Sequence, residues 1–154
     1  MQQSNTFSAY KHHTTGKTVI AVGPHGGAVF CGPVMEGGCS DRQAVLDSKF
    51  MSYVENGDVY MADRGFMNME EDFLKIGAKL ITPPSMKNKQ SLNLHDEYKT
   101  RSIAAARIHV ERFNQRVKIF EFLSGPIPQS KLSLLNQAVY VCCQLANYGP
   151  ILVE

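Results

Sequence analysis

Two apolar, β-branched runs separated by a Gly/Pro turn constrain this chain more than any other feature. Lys17–Val22 stops at Gly23-Pro24-His25-Gly26-Gly27, and Ala28–Val34 follows until Gly37-Gly38. Extended runs flanking such a turn predict an antiparallel hairpin. Downstream, the side chain of either Ser40 or Asp41 can accept an orphan backbone N–H, which predicts a helix over Arg42–Val54 with Val45, Leu46, Phe50 and Val54 at helical spacing. Asn56-Gly57 turns the chain into a short strand, Val59–Ala62, that ends at Asp63. A helix near Met69–Ile76 stops at Gly77, and a strand at Lys79–Thr82 is broken off by Pro83-Pro84. Beyond the polar loop Ser85–Leu92, a long helix is predicted from Asn93 or Asp96 to Phe120. A last one, Gln129–Asn147, has Leu132, Leu135, Val139 and Leu145 on one face. The order ββαβαβαα predicts an α/β domain, a mixed sheet flanked by helices.

A chain of 154 residues, 44% of them hydrophobic, is expected to form one domain over residues 1–154 around one core. Its net charge of +2 does not by itself announce a nucleic-acid binder, so the location of the charge matters more. Cys31, Cys39, Cys142 and Cys143 form no CxxC pair and lie at no zinc-finger spacing from a histidine. They are read as reduced thiols of a soluble, intracellular protein, nuclear or, in a prokaryote, cytoplasmic. Met1–Tyr10 has no apolar signal-peptide core, and no stretch approaches the roughly 20 apolar residues that span a bilayer.

Two acids could carry chemistry. Asp63 follows a strand expected to be buried and precedes Gly65, at the carboxyl end of the sheet, where open α/β sheets place ligands. The plainer alternative is that Asp63 only caps a turn. Glu111 lies in the long helix, whose buried stripe is predicted as Ile103, Ala106, Val110, Phe113, Val117 and Phe120. Arg107, Glu111, Asn114 and Lys118 form a neighbouring stripe, about a quarter turn away at ~100° per residue. Arg107 and Glu111 could be an ordinary i,i+4 surface pair worth a few tenths of a kcal/mol. Yet between Tyr98 and Phe120 Glu111 is the lone acid among Lys99, Arg101, Arg107, Arg112, Arg116 and Lys118. A carboxylate set among cations is what a phosphate-handling site would show. His109, beside it, is expected to be a satisfied structural histidine, and Met51, Met61, Met67 and Met69 are expected to pack.

Phosphodiester attack needs a deprotonated water or 3′-hydroxyl and relief of charge on the leaving oxygen. Two Mg²⁺ or Mn²⁺ ions about 4 Å apart provide both, and such hard cations need carboxylate oxygens on rigid elements. An Asp at a strand end and a Glu on a packed helix meet that need.

The string Ile103-Ala104-Ala105-Ala106-Arg107-Ile108-His109-Val110-Glu111-Arg112, with Ala62-Asp63-Arg64-Gly65-Phe66, resembles the DDE superfamily transposases related to Harbinger elements and bacterial insertion sequences. Tyr10–Lys17, Gly37–Asp41 and Cys142–Asn147 match in order and with spacing kept. The resemblance implies an RNase H-like fold, metal-dependent cleavage and strand transfer of DNA, and Mg²⁺ or Mn²⁺ as cofactor. It makes Asp63 the second acid of the triad and Glu111 the third. Arg107 and Lys118 match the basic residues that touch DNA phosphate beside the metals; the Tyr expected three residues before the Arg is Ala104. Lys11, Arg64, Arg112 and Arg116 would steer DNA into the site.

One departure stands out. The family's first strand carries the first Asp shortly before the Tyr-Lys segment, and here no acid precedes Glu36. The fold is therefore expected to be truncated at its N-terminal strand. The chain is then part of a longer transposase, or a descendant that has become a non-catalytic DNA- or protein-binding module. Asp41 is expected to cap a helix rather than replace the first acid. An open sheet edge predicts self-association as a homo-oligomer.

Overall fold

The computed structural model describes residues 7–8, 13–14, 16–83 and 107–150. Lys11, the loop Ser85–Leu92, and Ile103 and Ala106 with the predicted first half of the long helix lie outside them. The chain divides into two compact units, one formed by Met1–Phe50 with His109–Glu154 and the other by Met51–Ile108.

In the first unit, β1 (Phe7–Ser8) pairs antiparallel with β2 (His13–Thr14). The predicted hairpin is present. β4 (Ile20–Val22) pairs antiparallel with β5 (Ala28–Cys31), Ile20 opposite Cys31 and Val22 opposite Ala28, with a register shift between Ala21 and Val22. Its base continues as β3 (Gly16–Lys17) against β6 (Met35–Glu36). The turn closes through Gly23 N–H donating to Gly27 O at 2.8 Å and Gly26 N–H to Gly23 O at 2.9 Å, with Gly26 at φ 80°. That left-handed backbone is why glycine stands there.

Helix α1 (Asp41–Asp47) begins one residue earlier than expected and is shorter. Ser40 is the cap, its hydroxyl accepting from Gln43 N–H at 3.1 Å. Asp41 is not the cap: it sits in the first turn, and its Oδ1 lies 2.9 Å from Lys17 Nζ. The predicted continuous helix to Val54 breaks at Ser48, whose hydroxyl donates to Val45 O at 2.7 Å and accepts from Phe50 N–H at 3.3 Å. A hydroxyl that bonds backbone in this way competes with the helical ladder. A 3₁₀ turn, Phe50–Tyr53, follows. Val45 and Phe50 are buried, but Ala44 takes the place expected of Leu46, which is exposed.

The long helix, α3, is described over residues 107–118, ending two residues short of Phe120. Phe120 instead precedes the short helix α4 (Glu121–Ser124). The last predicted helix is a 3₁₀ segment, Gln129–Leu134, running into α5 (Leu135–Asn147). The core of this unit joins Phe113 and Val117 of α3 to Val139, Cys142, Cys143 and Ala146 of α5, with Ile20, Val22, Ala28, Cys31 and Leu135 packed against them. The expected apolar face of α5 is thus corrected. Leu132 and Leu145 are exposed, and the buried stripe steps 139, 142, 143, 146 at helical spacing. Leu145 lies six residues from Val139, roughly 240° around the helix at ~100° per residue, so it falls on the exposed side of α5. Asn147 secures α5 to the hairpin by accepting Ala28 N–H at 2.8 Å and donating to Ala28 O at 2.9 Å, and Asn136 Oδ1 accepts Val34 N–H at 2.8 Å.

The second unit is a strand–helix–strand crossover. β7 (Val59–Met61) and β8 (Lys79–Ile81) run parallel, Val59 opposite Lys79 and Met61 opposite Ile81. Between them lie a 3₁₀ segment, Arg64–Met69, and α2 (Glu70–Ile76). Gly77 ends α2 at φ 83°, as its position predicts, and an added Cβ would strike the Asn56 side-chain oxygen. Phe73, Met69, Val54 and Ala78 are buried, and the Phe73 ring meets Tyr60 at 5.4 Å. Tyr60 is the β7 residue that meets α2, through Phe73, while Val59 and Met61 are exposed, so the strand is half-buried rather than buried. Met61 is therefore not a packing residue, whereas Met69 is fully enclosed.

Antiparallel and parallel ladders are both present, and the described architecture is mixed α/β. Among the described residues the strands pair two by two.

Candidate active site

Asp63 leaves the end of β7 with φ −71° and ψ 168°, an extended residue that caps the 3₁₀ segment. Its Oδ1 accepts Arg64 N–H at 2.7 Å, and its backbone oxygen accepts Phe66 N–H at 3.0 Å. The turn-capping alternative is therefore true of Asp63, but it uses only one carboxylate oxygen. Oδ2 stands 3.5 Å from the Arg107 guanidinium, with both side chains about half exposed at 53% and 56%. An ion pair this open is worth at most ~1 kcal/mol, so it does not commit Arg107 to a purely structural role.

Neighbouring acids of the second unit are more firmly engaged. Asp58 Oδ2 accepts both Glu55 N–H and the Tyr60 hydroxyl at 2.9 Å. Burial, the bond to Asp58 and the nearby charges of Asp58 and Glu55 push Tyr60 up to about 12. The buried Thr82 hydroxyl donates to Glu70 Oε1 at 2.6 Å. Asp63 is the acid at the carboxyl end of β7.

Arg64, exposed beside Asp63, and Arg107 belong to the second unit, and Glu111, Arg112, Arg116 and Lys118 to the first. Phe113 and Val117 carry the buried stripe of α3, while Glu111, Arg112 and Lys118 are exposed and Asn114 is half-buried, as the helical count requires. Arg107 is exposed one turn before Glu111. Arg116 has an anchoring role that its sequence position does not announce: its guanidinium donates to Ala146 O at 3.1 Å and Pro150 O at 2.7 Å. It thereby supplies donors to carbonyls at the C-terminal end of α5, where cations are favoured. His109 departs from expectation, since its Nδ1 is buried without a hydrogen-bond partner. Its neighbour one turn on is Phe113, which offers no polar atom.

Asp63 and Glu111 supply carboxylate oxygens, the donor type a hard divalent cation takes. Among the described residues no group of three or more His, Cys, Asp and Glu side chains stands together to hold a metal ion. The fit is thus one of donor chemistry, with two acids on offer. No described helix is long and apolar enough to cross a membrane.

A pair that no sequence pattern announces lies elsewhere, where the thiols of Cys31 and Cys143 stand 3.5 Å apart. Neither has a metal-ligand motif around it, and they are far apart in sequence, so only the packing of α5 on the hairpin brings them together.

Compared with known proteins, the chain matches the family model described as DDE superfamily endonuclease over residues 1–147. No curated protein and no solved structure gives a significant match.

Proposed function

Because the chain belongs to the DDE superfamily of endonucleases, we propose that it is a transposase-derived nuclease domain acting on DNA phosphodiesters, built on an RNase H-like fold. The observation that carries this reading is the family match over 147 residues, within which Asp63 falls at the end of a parallel strand. Asp63 and Glu111 are the acids that would hold Mg²⁺ or Mn²⁺. A divalent cation bound there supplies an activated water or 3′-hydroxyl and neutralises charge on the leaving oxygen.

The chain's own residues do the rest. Arg107 offers a planar fork of N–H donors suited to a phosphate oxygen pair, and its exposed pairing with Asp63 is weak enough to yield. Lys118 adds a mobile point charge on the same helix stripe. Lys11, Arg64, Arg112 and Arg116 raise the local potential along the approach of DNA, with Arg116 also fixing the end of α5. In a nicking assay on supercoiled DNA with Mn²⁺, the chain extended upstream through a strand bearing the first Asp should cleave. Asp63→Ala and Glu111→Ala should each lose activity by at least ~100-fold, the scale of a removed catalytic electrostatic group. Undiminished nicking in either variant ends the assignment of that acid.

One observation favours a second reading, a non-catalytic module that binds DNA or a protein. Among the described residues no three acids gather, and the family's chemistry calls for three. That reading predicts salt-sensitive DNA binding with no nicking at any Mn²⁺ concentration.

A further inference from the structure

We propose that Cys31 and Cys143 are a peroxide-sensitive dithiol, which closes to a disulfide linking the hairpin to helix α5. Their sulfurs are 3.5 Å apart, and both residues lie in the first compact unit. A disulfide needs about 2.05 Å between sulfurs, so rotation of the two thiols, with a small approach of strand and helix, brings them within bonding reach.

The two thiols are not equivalent. Cys31 is half-buried on β5, and its thiol faces the Gly32 carbonyl at 3.8 Å. Cys143 is fully enclosed on α5. The hydrogen-bonded contact with Cys143, aided by the Thr18 hydroxyl, holds the Cys31 thiol below its ordinary range despite burial. The same contact, and then burial, push Cys143 well up. Nucleophilicity follows thiolate character and access, which makes Cys31 the attacking group and Cys143 the resolving one. Cys142, raised by burial alone, takes no part.

The chemistry balances. The Cys31 thiolate attacks a peroxide oxygen, the O–O bond breaks, and the leaving oxygen takes a proton as water or alcohol. Cys31 is then a sulfenic acid. The Cys143 sulfur attacks the Cys31 sulfur, the S–O bond breaks, and water leaves with the Cys143 proton. Two thiols are oxidised by two electrons and one peroxide is reduced; a thiol reductant reverses the bond by exchange.

The cross-link would have a topological effect. The first unit is made of Met1–Phe50 and His109–Glu154, so a Cys31–Cys143 bond encloses the entire intervening Met51–Ile108 segment in one loop. Closing a long loop constrains the unfolded chain more than closing a short one, and the oxidised form should melt higher.

The test is to treat the full chain with hydrogen peroxide, then measure intact mass, free thiols and non-reducing peptide maps. The mass should fall by two hydrogens, the free thiols should drop from four to two, and the map should show Cys31 joined to Cys143. Dithiothreitol should restore all four. Cys142→Ser should leave the bond intact, and Cys31→Ser should abolish it. The proposal is overturned if Cys31 accumulates as a sulfinic acid, if Cys142 or a second chain supplies the partner, or if all four thiols persist. The wild-type map decides among these outcomes even if a variant fails to fold.

Discussion

Asp63 divides its carboxylate between two tasks: Oδ1 accepts the Arg64 N–H at 2.7 Å, and Oδ2 faces the Arg107 guanidinium at 3.5 Å. Capping and charge can be separated by substitution. Asp63→Asn keeps an oxygen for the cap and should change stability by less than ~0.5 kcal/mol. Asp63→Ala removes the cap and should cost about 1 kcal/mol. Both should lose Mn²⁺-dependent nicking equally, so thermal melts and the nicking assay together distinguish a turn residue from a metal ligand. A fully active Asn variant would make Asp63 a cap and nothing more.

Arg116 is predicted to matter for stability as well as for DNA. Its bonds to Ala146 O, partly buried, and Pro150 O, exposed, are charge-assisted, and losing them should destabilise the chain by ~1–2 kcal/mol. Arg116→Lys should recover only part of this, because an ammonium lacks the planar fork that reaches both carbonyls. Urea unfolding of the two variants checks it. Equal stability of Arg116→Ala and wild type would contradict the anchoring role.

Tyr60 sets an alkaline limit. Its folded pKa of about 12 lies above the ordinary value of 10.0. Between these two pH values the folded chain keeps a proton that the unfolded chain releases, so stability falls as pH rises through the window and is unaffected by this group below it. Tyr60→Phe should flatten that decline in melts from pH 9 upward, to about pH 12. An identical slope in the variant would assign the alkaline loss to other groups.

Much of this architecture could be read from local signals. The β4–β5 hairpin and the stop of α2 at Gly77 are fixed by glycines that adopt left-handed backbone, a property of the residue itself. Helix α1 is shorter than its apolar spacing predicts, because that spacing continues past Ser48 while the Ser48 hydroxyl, bonded to Val45 O, ends the ladder. The exposed face of β7 is equally hidden in the sequence, since apolar Val59 and Met61 have the character of core residues yet both stand exposed. At the candidate site, Asp63 was legible as an acid at a strand end. Its pairing with Arg107 was not, because nothing in either segment encodes contact across such a sequence separation. The Cys31–Cys143 approach was invisible for the same reason, and small apolar cysteines gave no periodic signal distinct from ordinary core.

The central proposal is that Asp63 and Glu111 would both be ligands of one divalent metal ion. Calorimetric titration of Mn²⁺ into the wild-type chain, the two single Ala variants and the double variant tests it most directly. Ligands of a shared ion are strongly non-additive, so each single substitution should remove nearly all the binding that the double substitution removes. Mn²⁺ affinity unchanged in Glu111→Ala, or losses that simply add, would contradict the account.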